Sequence, residues 1–477
     1  MSVATSSFSA ASPTLARLAA MSRADLEALQ LAKLRRQLHR SWSSNPFYRR
    51  KWEAAGIHPD QIRALDDFRA RIPLCTKQEF LEDQNLNPPF GERLGMPKDA
   101  VGLISLTGGT SGQGQEFYGR CQHDVAIQGY MHQLPWFMAG LRPGHTVLNC
   151  VPAGGMTTGG WGPGEGIRMA GATGFHVGGT LSTEAKIDLM LRLGEVHFIY
   201  ASTNYLHTLT QAFLRRGIVP AEKFPMLQAV YIAAEGYPAE WAHETQRLWG
   251  CPLHEGYGST QGAGFVASTC EHGIVRDDRE RGLMHLLEWM NFVEVVDPAT
   301  GKHVGPGEEG EVVLTNLDIV GSPVIRFSTK DRARWYPAGA CGCGRPWDCI
   351  EAGTIGRYDD MMKVRGNNIW PLTIDQIMFA HKEVAEYVGR VFVDAQERTE
   401  VEIRVAFRPG ALAGPDQTAA LIGKIRAQLK ERTNIWVLMR EVERSELPDF
   451  TYKARRWSDE RKAGYGATAL PASGTRP

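Results

Sequence analysis

The chain has 477 residues, 43% of them apolar and 22% charged, which is typical of a soluble globular protein with two or three domains. Basic and acidic residues both number 53, and this balance excludes the positive charge expected of a nucleic-acid-binding protein. No apolar run approaches the roughly 18 residues of a membrane helix, and the eight scattered cysteines are too few for a disulfide scaffold. We therefore expect a cytoplasmic protein that binds neither nucleic acid nor membranes.

The first 24 residues are rich in serine and alanine and contain two arginines but no acidic residue. This composition fits an organellar transit peptide or a flexible N-terminus. Because the stretch is short and Pro13 interrupts it, we interpret residues 1–24 as a flexible N-terminus. The last residues, 464–477, have the composition of a flexible tail.

Residues 21–42 predict a helix. Ser22 and Asp25 form a start that is similar to a capping box, and apolar residues follow at helical spacing: Leu31, Leu34, Leu38 and Trp42. Further along the chain, short β-rich runs alternate with segments long enough for helices, such as residues 239–250. The runs are TVLNCV (146–151), FHVGG (175–179), HFIYAS (197–202) and AVYIAAEG (229–236). This alternation predicts a parallel sheet with crossover helices.

The pattern changes near residue 286. NFVEVV and EVVLTNL flank a turn rich in proline and glycine at residues 297–310 and predict an antiparallel pair of strands. The polar segment GRYDDMMKVRGNNIWP (356–371) looks like a domain boundary. Two strand-like runs, a helical segment at 418–432 and a further strand-like run (436–443) then predict a compact α+β unit. The predicted domains are a large one at 25–355, the boundary segment 356–371 and a small one at 372–463.

The loop SLTGGTSGQGQ (105–115) is rich in glycine, serine and threonine. Such a turn can bind phosphate through backbone amides and hydroxyl groups. It is not a Walker A loop, because no register supplies the required lysine; Gln113 stands where that lysine is expected. By itself, the loop does not distinguish a phosphate site from a polar surface turn.

Five segments follow the loop in order: AAEGYP (233–238), HEGYGSTQGAG (254–264), IRFSTKDRARW (325–335), the boundary segment 356–371 and FTYKARRW (450–457). The ordered set resembles the adenylate-forming superfamily of acyl-CoA ligases, and within it the phenylacetate-CoA ligase branch. That branch typically has S-S-G-T-T-G-K-P, Y-G-x-S/T-E, R-Y-x-T-x-D, G-R-x-D-D-M-x-x-x-R-G-x-N-x-x-P and G-K-A-x-R. The resemblance covers nearly the whole chain and is longest in the boundary segment.

The resemblance implies an α/β fold, with a large multi-sheet α/β N-terminal domain that includes an antiparallel β portion. A small mobile α+β C-terminal domain would complete it. The implied enzyme is an AMP-forming aryl-carboxylate–CoA ligase that uses ATP, Mg²⁺ and coenzyme A and acts through an acyl-adenylate. In the first step negative oxygens approach a negative phosphate, so catalysis depends on positioning and charge stabilisation. The implied partner is a small aromatic acid, and a homodimer is left open.

The resemblance also implies roles for individual residues. The phosphate loop would use Thr107, Gly108, Gly109, Thr110 and Ser111. Glu235, Gly236, Tyr257 and Gly258 would lie near the adenine, Thr260 at the α-phosphate and Asp331 at the ribose. Lys453 would act catalytically. Asp359 would be the hinge position, and Asp359 and Arg365 would belong to the cofactor-binding residues. Arg326 would neutralise phosphate, with a surface arginine as the alternative.

The chain departs from the family pattern at two positions of the implied phosphate site. Gln113 replaces the loop lysine, and Gln261 replaces the glutamate that binds magnesium. A neutral amide is a weaker ligand for a hard cation than a carboxylate. These changes keep open a catalytically silent nucleotide-binding relative, although Asp331, Asp359 and Lys453 favour an enzyme. An enzyme that transfers the acyl group to an amine or a carrier protein also stays open, and a P-loop kinase is disfavoured because the loop has no lysine.

Cysteine and histidine residues cluster in two places. Cys270, His272 and His285 lie in the first, and the second, GACGCGRPWDC, contains Cys341 and Cys343. This pattern favours a tetrahedral structural zinc site with Cys270, Cys341, Cys343 and either His272 or His285 as ligands. Some members of the branch bind zinc in this way. Buried unligated cysteines are the alternative.

For the acid pocket, a predicted helix just after the phosphate loop offers aromatic residues. We assign Tyr130, Trp136 and Phe137 to the pocket, together with Met156 from the glycine-rich stretch at 154–163. Aromatic residues at helical spacing also occur in protein cores, which is the alternative. Space lined by glycines would admit a flat aromatic ring.

Overall fold

The computed structural model describes residues 12–107, 114–152, 158–233, 235–276, 281–358, 362–364, 367–394, 398–448, 450 and 456–462. This part of the chain folds into two compact units, which divide after Tyr358. The division lies inside the segment 356–371 that the sequence marks as a boundary. None of the described helices is both long and apolar enough to span a membrane.

The first described residues are helical, so the prediction of a flexible N-terminus is wrong for them. Helix α1 (Pro13–Ala20) begins at Ser12, whose hydroxyl accepts a hydrogen bond from the Leu15 amide at 3.3 Å. Pro13 does not interrupt this helix, because the first helical position needs no backbone N–H. The buried side chains of Leu15 and Leu18 pack into a hydrophobic cluster of the large unit, and this packing stabilises the helix.

Helix α2 (Arg23–Ser44) confirms the predicted helix. Its N-cap is Ser22, whose hydroxyl oxygen accepts from the Asp25 amide at 3.1 Å, and Leu34 and Leu38 lie buried on one face. The other helices of the large unit are α3 (Pro46–Ala54), α4 (Leu65–Arg71), α5 (Lys77–Leu86), α6 (Gln122–Met138), α7 (Thr158–Met169), α8 (Thr183–Leu193), α9 (Thr203–Arg215), α10 (Pro220–Lys223) and α11 (Ala239–Trp249).

The parallel sheet predicted from the four β-rich runs is confirmed. Those runs become β3 (Thr146–Pro152), β4 (Thr173–Gly178), β5 (Phe198–Ser202) and β6 (Ala229–Ala233). They pair in parallel, and β6 also pairs in parallel with β7 (Leu253–Ser259). The carboxyl ends of β5, β6 and β7 therefore meet at one edge of the sheet, where ligand-binding loops of such sheets lie. Before them in the chain, β1 (Leu103–Leu106) and β2 (Phe117–Arg120) form an antiparallel pair.

The sheet continues beyond β7 with antiparallel neighbours. These strands are β8 (Gly264–Thr269), β9 (Leu283–Leu286), β10 (Asn291–Val296), β11 (Glu309–Asn316), β12 (Phe327–Tyr336), β13 (Cys349–Glu351) and β14 (Gly356–Arg357). The order is β10-β11-β12-β13-β9-β8-β7-β6-β5-β3-β4, with β14 paired to β12. Strands β10 and β11 are antiparallel, which confirms the prediction for residues 291–317.

The second unit contains a small pair, β15 (Met362–Val364) and β16 (Asn367–Ile369), and a separate four-stranded sheet. That sheet has the order β19-β18-β17-β20, formed by β17 (Val384–Val393), β18 (Thr399–Phe407), β19 (Leu438–Glu441) and β20 (Trp457–Asp459). Helices α12 (Pro371–Phe379) and α13 (Pro415–Thr433) complete the unit, whose own hydrophobic core includes Tyr387, Ile403 and Leu429. The predicted α+β character of this region is confirmed.

Glycines allow α7 to pack closely on α6. A Cβ atom added at Gly166 would lie 2.6 Å from His132 Cβ and 2.7 Å from the His132 carbonyl carbon. We expect Gly166→Ala to destabilise the protein by about 1–3 kcal/mol, because backbone atoms cannot move aside as a flexible side chain would. The matched control is Gly423→Ala in α13, where an added Cβ meets nothing within 4 Å. It should stabilise by up to about 1 kcal/mol. Chemical denaturation of both variants checks the pair, and equal effects would contradict it.

Candidate nucleotide site and metal centre

The base of the glycine-rich loop is built by β1 and β2. Thr107 directly follows β1, and its amide donates to the Glu116 carbonyl at 3.2 Å. The Thr107 hydroxyl accepts from the Glu116 amide at 3.0 Å, so both residues are held at the loop base. The predicted phosphate-binding residues Gly108, Gly109, Thr110 and Ser111, and also Gln113, lie outside the described residues.

The turn after β7 lies against this loop base. The Thr260 hydroxyl donates to the Leu106 carbonyl at 3.3 Å, and Arg120 donates to the Thr260 carbonyl at 3.1 Å. The Asn316 side chain donates to the Gln261 carbonyl at 3.2 Å. The structure therefore brings together Thr107, Thr260 and Gln261, three residues from two distant segments that the sequence assigns to the phosphates and magnesium.

A carboxylate that the sequence did not predict lies in the same place. Glu116 is fully buried and accepts from Tyr118 Oη at 2.8 Å and from Gln261 Nε2 at 3.0 Å. Burial raises the pKa of Glu116, and the Tyr118 hydroxyl and the nearby Lys77 amine partly oppose this rise. In the sequence, Glu116 directly follows the glycine-rich loop 105–115, and the pattern of that loop assigns it no role.

Asp331, the predicted ribose ligand, faces Tyr257. Tyr257 Oη donates to Asp331 Oδ2 at 2.7 Å, and Arg357 Nη1 donates to Asp331 Oδ1 at 3.0 Å. Burial and the adjacent Asp331 carboxylate raise the pKa of Tyr257 well above its usual value, so the phenol stays a hydrogen-bond donor. A carboxylate accepts hydrogen bonds from hydroxyl groups, which is the chemistry that the predicted ribose role of Asp331 requires.

Two of the predicted adenine residues, Glu235 and Gly236, lie just after the carboxyl end of β6. Glu235 accepts from the Asn204 amide at 3.1 Å through its carboxylate and from the Thr203 hydroxyl at 3.2 Å through its carbonyl. These bonds fix the loop to the start of α9, where the helix dipole favours a negative charge. Gly236 follows Glu235 in the same loop. Gly258 lies on β7, and its lack of a side chain is explained by close packing, since an added Cβ would lie 2.6 Å from the Gly264 carbonyl oxygen on β8.

The sequence offers two interpretations of Arg326, a residue that neutralises phosphate or a surface arginine, and its environment in the structure fits neither. It is 6% exposed, so the surface alternative is wrong. Its guanidinium donates to both carboxylate oxygens of Glu294, at 3.1 and 2.8 Å, and to the Ile72 carbonyl at 2.7 Å. A role in neutralising phosphate would require the guanidinium to leave this buried ion pair. These contacts make Arg326 a structural residue that joins β12 to β10.

Three further predicted residues, Lys453, Asp359 and Arg365, lie outside the described residues. Their roles stay predictions that rest on the family resemblance.

The aromatic residues assigned to the acid pocket do not form one. Trp136 is fully buried, packs against Tyr200 and Tyr231, and donates to the Pro163 carbonyl at 3.3 Å. Phe137 is 5% exposed and belongs to the same hydrophobic cluster. These two predictions are wrong, because that face of α6 packs on the parallel sheet. Tyr130 is 46% exposed, and Met156 lies outside the described residues.

The described part of the glycine-rich stretch, residues 158–163, also differs from the expectation of an open slot at Gly162. A Cβ added at Gly162 would lie 2.2 Å from the His132 ring, which fills the space beside this glycine. Burial lowers the pKa of His132 to about 4, so the imidazole is neutral at physiological pH.

The predicted metal ligands come together in the large unit. The ligand atoms of Cys270, His285, Cys341 and Cys343 all lie within 4.8 Å of one another. Cys270 Sγ is 3.7 Å from Cys341 Sγ, and Cys343 Sγ is 3.3 Å from His285 Nε2. Tetrahedral zinc places neighbouring sulfur and nitrogen ligands roughly 3.5–3.8 Å apart. The donor set and its spacing therefore fit zinc.

Local backbone geometry explains how the Cys341 and Cys343 thiols, which lie in one loop, come close to Cys270 and His285. Cys270 follows β8, His285 lies on β9, and Cys341 and Cys343 lie in the loop between β12 and β13. Gly342 has a φ of 77° within that loop, a left-handed conformation that glycine adopts without strain. Hydrogen bonds from the Cys270 and Cys341 thiols lower the pKa of Cys343, which favours a thiolate.

The geometry also separates the two candidate histidines. His285 belongs to the cluster, and its other ring nitrogen, Nδ1, lies 3.3 Å from Cys349 Sγ. His272 Nδ1 instead lies 3.0 Å from Arg276 Nη1 and 3.5 Å from Cys341 Sγ, beside the cluster. Cys349 pairs with His285 across β13 and β9, a partner that sequence spacing did not identify.

Comparison with known proteins gives two family matches, one in each of the two units. One family model, described as AMP-binding enzyme, matches residues 138–319, and another, described as AMP-binding enzyme C-terminal domain, matches residues 366–461. Phenylacetate-coenzyme A ligase from Thermus thermophilus is 30% identical over 390 residues, which cover 81% of this chain and 83% of that protein. The protein of that name from Pseudomonas putida is 28% identical over 416 residues, or 86% and 89% of the two chains.

Among solved structures, 2-hydroxyisobutyryl-CoA ligase in complex with 2-HIB-AMP has a TM-score of 0.83 with this chain. It is 23% identical, and the likeness covers 94% of this chain and 92% of that one. At this identity the likeness shows the fold alone. The predicted α/β fold with a separate small C-terminal unit is thereby confirmed.

Proposed function

Because the chain belongs to the AMP-binding enzymes, in the phenylacetate-CoA ligase-like branch, we propose that it joins an aromatic carboxylic acid to coenzyme A. A carboxylate oxygen of the acid attacks the α-phosphorus of ATP, and pyrophosphate leaves. The thiol of coenzyme A then attacks the acyl carbon, and AMP leaves. The products are acyl-CoA, AMP and pyrophosphate.

The observation that carries the proposal is the assembly of Tyr257, Asp331 and Arg357 next to the turn that holds Thr260 and Gln261. A buried, ionised carboxylate suits the two ribose hydroxyl groups. The nearby turn lies against the base of the glycine-rich loop, where phosphates would bind. The aromatic acid is supported by the likeness to phenylacetate-CoA ligases over more than 80% of the chain.

Magnesium bound with the ATP phosphates supplies positive charge that offsets the charge developing there. Gln261 is the described residue that we infer to face it. Its amide oxygen is of the ligand type that Mg²⁺ takes, although it lacks the charge of a carboxylate.

The decisive experiment incubates the purified protein with ATP, Mg²⁺, coenzyme A and a panel of acids. The panel contains phenylacetate, substituted benzoates and, as an aliphatic comparison, 2-hydroxyisobutyrate. We expect AMP and a thioester to form together with an aromatic acid. AMP without a thioester would point to an amine or a carrier protein as the acceptor. If the protein binds ATP but no acid yields AMP, a silent nucleotide-binding relative replaces the proposal.

Asp331→Asn should weaken ATP binding about 100-fold, because hydrogen bonds to a charged group each contribute about 1.5–3 kcal/mol and two are weakened. Tyr257→Phe is the control, since it removes the neighbouring hydroxyl and keeps the carboxylate. Its effect should stay within about tenfold. Calorimetric titration with ATP measures both variants. An unchanged affinity in Asp331→Asn would contradict the ribose role.

We also propose that Cys270, His285, Cys341 and Cys343 hold a structural zinc ion. Four protein ligands leave no open position for a substrate, so the metal would support folding rather than catalysis. His285 would bind through Nε2, and its Nδ1–H would donate to Cys349 Sγ, which orients the ring.

A further inference from the structure

The buried carboxylate of Glu116 has no role in the site as assigned above. It lies one hydrogen bond from Gln261 and is fully buried. Its two oxygens have separate donors: Oε1 accepts from Tyr118 Oη at 2.8 Å, and Oε2 accepts from Gln261 Nε2 at 3.0 Å. Lys77 Nζ is 3.9 Å from Oε2. A buried carboxylate is unfavourable unless its neighbours compensate for lost hydration, so its place beside the loop base calls for an explanation.

We propose that Glu116 is a positioning residue that orients the Gln261 amide for the magnesium and phosphates of ATP. This inference rests on the proposed function. An ionised carboxylate only accepts hydrogen bonds, so it pairs with the NH₂ group of the amide and not with its oxygen. The planar amide group then turns Gln261 Oε1 away from Glu116. Oxygen is the ligand type that a hard cation requires.

Hydrogen bonds hold the backbone around the pair, so the orientation of the Gln261 amide depends on its own side-chain torsions and on its contact with Glu116. The Gln261 carbonyl accepts from Asn316, and the preceding Thr260 is bonded to the end of β1. On the other side, the Glu116 amide donates to the Thr107 hydroxyl at 3.0 Å. Without Glu116, the Gln261 side chain could present either its NH₂ group or its oxygen. An NH₂ group in place of the oxygen cannot bind a cation.

The pair also carries a single negative charge, held at position 116. The family pattern has a carboxylate at position 261, but a second carboxylate there would lie against Glu116. Two carboxylates about 3 Å apart cannot both ionise easily. Gln261→Glu alone should therefore impair the site, although it restores the family residue. Exchanging both residues keeps one charge and one amide and should work.

The test compares four proteins: wild type, Glu116→Gln, Gln261→Glu and the double variant Glu116→Gln/Gln261→Glu. Each is titrated with ATP by calorimetry, once with Mg²⁺ and once with EDTA. The measured quantity is the ratio of the two affinities, which reports the contribution of magnesium without catalysis. Tyr118→Phe is the matched control, because it removes a donor to Glu116 and leaves the Gln261 contact.

We expect each single variant to lower the magnesium-dependent ratio about tenfold or more, and the double variant to recover to within about threefold of wild type. Affinity for ATP in EDTA should stay close to wild type in every folded variant. Tyr118→Phe should leave the ratio within about threefold of wild type. Thermal unfolding of each variant identifies any that fail to fold. If a single variant fails to fold, the double variant still tests whether one carboxylate and one amide are sufficient for magnesium-dependent binding.

An unchanged ratio in Glu116→Gln would overturn the inference while the proposed function stands, provided that wild type binds ATP more tightly with magnesium. A gain of affinity in Gln261→Glu alone would also overturn it, because Glu116 would then be only structural. If wild type does not bind ATP at all, the proposed function falls and the inference falls with it.

Discussion

Lys453→Ala is expected to slow the acid-dependent exchange of pyrophosphate into ATP about 1,000-fold, with ATP binding and folding nearly unchanged. Loss of one group that stabilises transition-state charge costs about 100- to 1,000-fold in rate. This chain should lie at the upper end, because the loop has Gln113 in place of a lysine and Arg326 is held in an ion pair with Glu294. A lysine ammonium is a compact charge that can bridge the acid and the α-phosphate.

The control for this variant is Lys382→Ala, which removes an exposed lysine of the second unit. A second readout separates the half-reactions: formation of thioester from supplied acyl-adenylate and coenzyme A should stay near the wild-type rate. This follows if the small domain carries Lys453 away after adenylation, as such conformational steps commonly do in two-stage reactions. An unchanged exchange rate in Lys453→Ala would remove this residue from the catalytic role.

Cys343→Ser is expected to release the proposed zinc ion and to lower the free energy of unfolding by about 4 kcal/mol or more. Loss of a structural metal is among the few single changes with effects of this size. The reason here is geometric, since the cluster ties together β8, β9 and the loop that precedes β13. Elemental analysis of the wild type should give about one zinc per chain, and thermal unfolding with and without a chelator should show the metal's contribution.

Two cysteines outside the ligand set serve as controls. Cys121→Ser changes a cysteine at the start of α6, where serine is a favourable N-cap, and should keep both zinc and stability. Cys349→Ser should keep the zinc but bind it more weakly, because the serine hydroxyl can still accept from His285 Nδ1. A fully folded wild-type preparation that contains no metal would contradict the zinc site.

Local patterns in the sequence predicted those parts of the fold that depend on neighbouring residues. The Ser22 cap, the four parallel strands and the antiparallel pair at 291–317 all follow from period, capping and turn composition. The cluster of Cys270, His285, Cys341 and Cys343 was predictable for a related reason, since a C-x-C pair together with a second Cys/His group is typical of a structural zinc site. Which of His272 and His285 belongs to the cluster was not predictable, because it depends on which strand lies next to the loop that holds Cys341 and Cys343.

Errors arose where one pattern fits two environments. Trp136 and Phe137 recur at helical spacing, and that spacing shows a buried face without showing whether a core or a ligand covers it. Pro13 predicts an interruption of the N-terminal stretch, but in the structure it starts α1. The Leu15 and Leu18 side chains of this helix pack in a cluster with residues more than 100 positions away.

The sequence alone determined the family and the order of the motifs, and it predicts the ribose and zinc residues, because these depend on residue type and order along the chain. Folding was needed to reveal the Arg326–Glu294 ion pair, the contact of Cys349 with His285 and the Glu116–Gln261 pair. Each joins residues 32 to 145 positions apart. Such contacts depend on how the sheet places its strands, and no local spacing encodes that placement.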